Sequence, residues 1–185
     1  KGEEHRLEKP SREYEIDELV NCIRTDCELT SPETGFDLRT RRAVVSKLLA
    51  IRTLNLFVKK GTRISQILRP NEVSVILLGN VPESIRDVIC GVFLRKILET
   101  RYEVSQAQKQ LLVNMSLSSE ERTRLQRLIT EGIPRTWIFI DEVQNLAPSD
   151  QKTAASDVLT RLVKQGRNYG IGVVMTSQQP QSIDR

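Results

Sequence analysis

Asp141 and Glu142 end an apolar run, Trp137, Ile138, Phe139 and Ile140. Two adjacent carboxylates at the end of a core-seeking run need a positive or polarised partner. One acid of such a pair can hold Mg²⁺, usually through water. The second can polarise a water that attacks a phosphate. Two acids meeting solvent or a neighbouring arginine have the same sequence, so the context must decide. A later run ends on Thr176, Ser177 and Gln178. A neutral amide there can touch both an attacking water and a terminal phosphate; a polar strand end meeting a loop is the plainer alternative. KQGRNYGIG (164–172) holds Arg167 among glycines on the turn into that run. An arginine on a tight turn at a subunit edge can reach a neighbour's γ-phosphate. A solvated loop arginine reads the same way.

These side chains can act together only if strands carry them to one edge. VSVILLG (73–79), TWIFIDE (136–142) and IGVVMTSQ (171–178) have the texture of strands buried on both faces. Helical spacing fills the gaps between them. Ile85, Val88, Ile89, Val92, Phe93 and Ile97 mark a mostly buried helix. Ser118 and Glu121 form a capping box ahead of Leu125, Leu128 and Ile129, and Gly132 closes that helix. Ala154, Ala155, Val158, Leu159, Leu162 and Val163 point inward from a helix over 151–165, with Gly166 as its stop. Residues 102–117 are polar and carry no clear period. Apolar strands alternating with helices predict an α/β fold, a parallel sheet covered by helices with right-handed crossovers. Ligands of such sheets bind at the carboxyl ends of the strands, where both polar motifs fall. An apolar strand ending in Asp-Glu is the Walker B pattern of nucleotide hydrolases. Trp137 is expected to pack at its strand start, Tyr169 to anchor the glycine turn, and Met175 to lie in the core.

The first third has a different texture. Ile16, Leu19, Val20 and Ile23 recur at helical spacing, and TSPETG (30–35) reads as a turn. Residues 37–60 predict one long helix with Val44, Val45, Leu48, Leu49, Leu56 and Phe57 on its apolar face and Gly61 as its C-cap. The expected organisation is a helical module over 1–63, its first 13 residues linker-like, followed by the sheet-bearing part over 64–185. Arg39, Arg41, Arg42 and Lys47 form one basic cluster, and Lys59, Lys60 and Arg63 a second. Both suit DNA phosphate contacts that read no sequence. Both equally suit a solvated helix face.

The chain has 185 residues, 38% hydrophobic and 28% charged, which is the composition of a soluble domain with its own core. A net charge of +4 permits a nucleic-acid partner without demanding one. Aromatic residues are only 4% of the chain, which argues against single-strand base stacking. No apolar run approaches the ~18 residues of a membrane span, and KGEEHRLEKP is no signal peptide. A cytoplasmic protein without a membrane partner is expected. Cys22, Cys27 and Cys90 with the single His5 lack zinc-site spacing, so reduced thiols are expected. Lys1 stands where a native start would have Met, and the chain reads as a piece of something longer.

WIFIDEVQNLAPS, then a helix, then LVKQGRNYGIGVVMTSQQPQSID resembles the HerA family of archaeal and bacterial ATPases. These are hexameric DNA translocases related to FtsK and to the conjugation pump ATPases. LRPNEVSVILLGNVPESIRDVICGVFLRKILETR is similar to the family's preceding strand and helix, so the likeness spans about residues 64–185. The resemblance implies a partial RecA-like P-loop NTPase core carrying an N-terminal helical insertion. It implies ATP and Mg²⁺ as cofactors, a homo-hexamer acting on DNA in end processing or transport, and a NurA-type nuclease as companion. It makes Asp141 the Mg²⁺ ligand, Glu142 the catalytic carboxylate and Gln178 the γ-phosphate sensor, with Ser177 beside it. Arg167 would act in trans on a neighbouring subunit's nucleotide. Gln144 stands where the family commonly has His. The largest departure is that Gly-Lys occurs nowhere in the chain, so the phosphate-cradling G-x-x-x-x-G-K-[ST] loop is missing. In the family that loop precedes the helical insertion, before Lys1, and the last strand follows Arg185. The chain alone is therefore expected to be inactive. The alternative is a non-catalytic, degenerate ATPase-like assembly or adaptor module whose acids are structural.

Overall fold

The computed structural model describes residues 15–33, 35–53 and 61–179. His5, Leu56, Phe57, Lys59, Lys60 and the QSID end of the family-like motif lie outside them. The chain divides into two compact units, Lys1–Thr62 and Arg63–Arg185.

The described part of the first unit is helical: α1 (Ile16–Thr25), α2 (Cys27–Thr30) and α3 (Leu38–Arg52). Val20 of α1 and Val45 of α3 are its buried side chains. Asp26 starts α2 by accepting the Glu28 and Leu29 N–H groups at 2.9 and 3.1 Å, satisfying donors that a helix start leaves open. Asp37 caps α3 in the same way, and the Thr40 backbone N–H holds its carboxyl below the usual aspartate value. The long helix expected over 37–60 stops at Arg52, so Gly61 is not its cap. The Thr53 hydroxyl donates to the Ala50 carbonyl at 2.7 Å, a local bond that competes with continuing the helical ladder. Arg39, Arg42 and Lys47 are exposed on α3, whereas Arg41 is half-buried and donates through Nε to the Phe36 carbonyl at 3.1 Å.

The second unit runs α4 (Ile64–Ile67), α5 (Glu83–Val113), α6 (Ser119–Glu131), β1 (Thr136–Ile140), α7 (Ser156–Gln165) and β2 (Ile171–Met175). Its sheet is smaller than the sequence predicts. β1 and β2 pair in parallel, from Thr136 opposite Ile171 to Ile140 opposite Met175, and they are the only strands among the described residues. VSVILLG (73–79) forms no strand, and Val73 is 92% exposed. Its β-branched content encodes a preference for a sheet interior but supplies no neighbour to pair with. The turn before it carries Asn71 in the left-handed region at φ 61°.

α5 is longer than expected and absorbs most of the ambiguous 102–117 segment. That segment holds three Gln and three Leu and no Gly or Pro, so nothing stops propagation. Val104 and Ala107 extend its buried face. Gly91 lets the helix pack closely: a Cβ there would lie 2.6 Å from the Ala154 carbonyl oxygen. The capping box at the start of α6 is formed, with Glu121 N–H donating to Ser118 Oγ at 3.2 Å and Ser118 N–H to Glu121 Oε2 at 2.9 Å.

One core joins these elements. Leu94, Ile97 and Leu98 of α5 meet Val158, Leu159 and Leu162 of α7 under Ile140 and Ile171 of the sheet. It covers one sheet face only. Trp137 and Phe139 on the other are 70% and 74% exposed, although the Trp137 ring lies across Gly172. Met175, Val163 and Ala154, all expected inside, are exposed. Val163 lies off the buried face of α7, Ala154 precedes that helix, and Met175 shares the face of Ile171 and Val173 but stands at the end of β2. No helix among the described residues is long and apolar enough to cross a membrane.

Candidate functional site

The parallel ladder continues past both strand ends. Thr176 N–H donates to the Ile140 carbonyl at 2.9 Å, and Val143 N–H donates to the Thr176 carbonyl at 3.0 Å. These bonds fix Asp141–Gln144 against Thr176–Gln178. Between them the chain turns sharply: Glu142 has φ 53° and ψ 48°, left-handed geometry rare for a residue with a long side chain. Such strain persists where surrounding bonds enforce it, and it clusters at functional sites. A 3₁₀ turn, Val143–Asn145, follows and buries Val143.

The turn brings the polar side chains together. Gln178 donates through Nε2 to Glu142 Oε1 at 2.6 Å. Gln144 donates through Nε2 to Glu142 Oε2. Ser177 donates through Oγ to Gln144 Oε1 at 2.6 Å and accepts the Gln179 N–H at 3.0 Å. Asp141 Oδ1 accepts from the Thr176 hydroxyl and, at 3.0 Å, from the Glu142 N–H. Its other oxygen makes no hydrogen bond to the described residues. Asp141, Glu142, Ser177 and Gln178 thus share one edge, with Asp141 and Gln178 exposed and Glu142 half-buried. Thr176 and Gln144 join them, Gln144 through the local hydrogen bonds that an amide at its position allows.

Two acids and no cluster of three His, Cys, Asp or Glu make a poor closed metal cage among the described residues. They fit a hydrated Mg²⁺ that arrives with phosphates, because Mg²⁺ keeps several waters and takes one or two carboxylates.

Arg167 is not brought to this edge. It lies in the 3₁₀ turn Gly166–Tyr169 at the opposite, amino end of β2. At ~3.3 Å per residue, the strand separates it from the acids by about 15 Å or more. The turn closes through Gly170, whose φ of 74° suits glycine and whose N–H donates to the Arg167 carbonyl at 3.2 Å. The Arg167 side chain is exposed and forms no ion pair with the described residues.

Arg101 holds that turn in place, a role the sequence reading missed. It is 3% exposed and donates from Nε to the Tyr169 carbonyl and from Nη1 to the Ile133 carbonyl, both at 2.8 Å. The chain entering β1 is thereby tied to the chain entering β2. Burial pushes the guanidinium below its ordinary pKa, and the nearby Arg135 adds to this. The ring of Tyr169, expected to anchor the turn against the sheet, packs edge-on against Tyr102 of α5 at 5.2 Å. The available signal was spacing: Leu94, Ile97, Leu98 and Val104 put position 101 on the buried face of α5. Arg101→Leu is expected to leave two carbonyls without their donors and to cost about 3 kcal/mol, read as a lower midpoint in urea unfolding.

No protein-family model matches the chain. Curated relatives do. The DNA double-strand break repair helicase HerA of Pyrococcus furiosus is 25% identical over 124 residues, 63% of this chain and 22% of the relative. The protein of the same name from Sulfurisphaera tokodaii is 28% identical over 113 residues, 61% of this chain and 19% of the relative. A probable helicase of Methanocaldococcus jannaschii is 22% identical over 117 residues, 63% of this chain and 19% of the relative. The matched part spans about a fifth of the length of these proteins. Over some three fifths of its residues the chain is therefore similar to HerA-type helicases, as its Asp-Glu, Gly-Arg-Asn-Tyr-Gly and Ser-Gln motifs imply.

Proposed function

We propose that this chain is part of an ATP-driven DNA translocase or helicase of the HerA type, carrying its Walker B, sensor and arginine-finger residues. The observation that carries the reading is the hydrogen-bonded edge where Asp141 and Glu142 meet Gln178 across two parallel strands. In this reading the second unit is the later part of a RecA-like core and the first is a helical insertion. Asp141 binds Mg²⁺ through water. The bound ion would offset charge on the nucleotide phosphates. Glu142 orients and polarises the attacking water, and Gln178, with Ser177 beside it, senses the terminal phosphate. Arg167 serves the site of the next subunit in a homo-hexameric ring, which fits its distance from the acids of its own chain. Exposed Arg39 and Arg42, with Arg41, Lys59 and Lys60, contact DNA phosphates without reading bases. End processing beside a NurA-type nuclease is the matching setting.

The phosphate-cradling loop must come from elsewhere in a longer protein. The 185-residue chain alone is expected to turn over no ATP, whereas the longer protein hydrolyses ATP and does so faster with DNA. Steady-state hydrolysis of both proteins, with and without duplex and single-stranded DNA, tests this. A longer protein that neither binds nor hydrolyses ATP would return the chain to a non-catalytic assembly role.

A further inference from the structure

Glu142 is held by two amides, and only one of them belongs to the sensor strand. The second, Gln144, is hydrogen-bonded at both ends of its amide. Ser177 Oγ accepts the Gln179 N–H, and its own hydroxyl proton donates to Gln144 Oε1 at 2.6 Å. The Gln144 NH₂ must then face Glu142, where it donates to Oε2. The flipped amide would set an oxygen against the acceptor-only carboxylate and lose that bond, while the Ser177 hydroxyl would have to turn from donor to acceptor. The order Ser177, Gln144, Glu142 is therefore a one-way chain of donors from β2's end to the carboxylate. Gln178 takes the other oxygen at 2.6 Å. With both oxygens held, the carboxylate cannot rotate about its last bond.

We propose that Gln144 is a positioning residue for hydrolysis, fixing the Glu142 carboxylate through an amide that Ser177 orients. This rests on the reading of Glu142 as the water-polarising acid. Without Gln144, Glu142 keeps one partner and turns about the remaining bond. A misplacement of about 1 Å in a reacting group can lower turnover by about 10²-fold. Both ends of the Gln144 amide are taken up by Glu142 and Ser177, so its loss is expected to leave ATP affinity unchanged.

Neutral histidine separates chemistry from shape. Imidazole also offers one donor and one acceptor at opposite ends, so it can take the Ser177 hydroxyl and donate to Glu142. Methionine keeps the length and removes both functions.

The test uses the longer protein with its phosphate loop and measures kcat, KM and equilibrium ATP binding for Gln144→Met, Gln144→His and Glu142→Gln. The expected result is kcat about 10–10²-fold lower in Gln144→Met at unchanged KM, and recovery to within a few-fold of the parent in Gln144→His. Unchanged kcat in Gln144→Met beside an inactive Glu142→Gln overturns the positioning role and leaves the reading of Glu142 standing. A raised KM at preserved kcat, or equal loss in the methionine and histidine variants, also overturns it. Full turnover in Glu142→Gln removes the reading itself, and the role of Gln144 with it.

Discussion

Glu142→Gln in the longer protein is expected to lower ATP turnover by about 10²–10⁴-fold, the range for losing a positioned general base, while ATP still binds. The two states differ little in shape. Glutamine keeps the length of glutamate, and one oxygen remains to accept from Gln178 or Gln144. What disappears is the negative charge and one of the two accepted bonds. Asp141 keeps its bonds from Thr176 and from its neighbour's backbone N–H, so the acid proposed to hold Mg²⁺ is undisturbed. Stopped hydrolysis with intact binding, measured by turnover and by equilibrium titration with ATP, is the signature of an acid that acts on water. Loss of binding would instead make Glu142 a nucleotide or metal ligand. Hydrolysis near the parent rate would remove it from the chemistry.

The sequence carried this edge further than it carried the sheet. Parallel strands deliver their carboxyl ends to a common side, so two apolar runs ending in Asp141–Glu142 and Thr176–Gln178 were enough to place those side chains together. The same texture at VSVILLG suggested a third strand that does not form, because an apolar run specifies burial and leaves the hydrogen-bonding neighbour unspecified. Trp137 and Phe139 show the related limit: alternation along β1 divides the run between a covered and an uncovered face, and composition alone does not distinguish them. The roles of Gln144 and Arg101 are harder still to read. Gln144 reaches Glu142 only because the chain turns left-handed at Glu142, and Arg101 matters for two carbonyls distant in sequence. Both depend on backbone geometry that residue types do not encode.

Arg167→Ala is expected to lower turnover by about 10³-fold or more if the residue is an arginine finger, with each subunit still binding nucleotide. The geometry sets a sharper condition than loss alone. Arg167 stands at the amino end of β2 and Asp141 and Glu142 at the carboxyl edge, so one chain cannot use both on the same phosphate. The two defects should then complement. In a mixed assembly, a Glu142→Gln subunit still presents Arg167 to its neighbour, and an Arg167→Ala subunit still presents Glu142 to its own nucleotide. Where the two meet in the right order, one complete site is rebuilt. Mixing the two inactive variants should recover a fraction of the parent turnover that rises and falls with the mixing ratio, being greatest near equal proportions. A ring whose mixed assemblies stay inactive, with subunit exchange shown by labelled chains, would mean that Arg167 is not serving its neighbour. Its exposed side chain would then be a solvated turn arginine, and the contribution of Gly166–Tyr169 would be the closed turn that Arg101 holds from beneath.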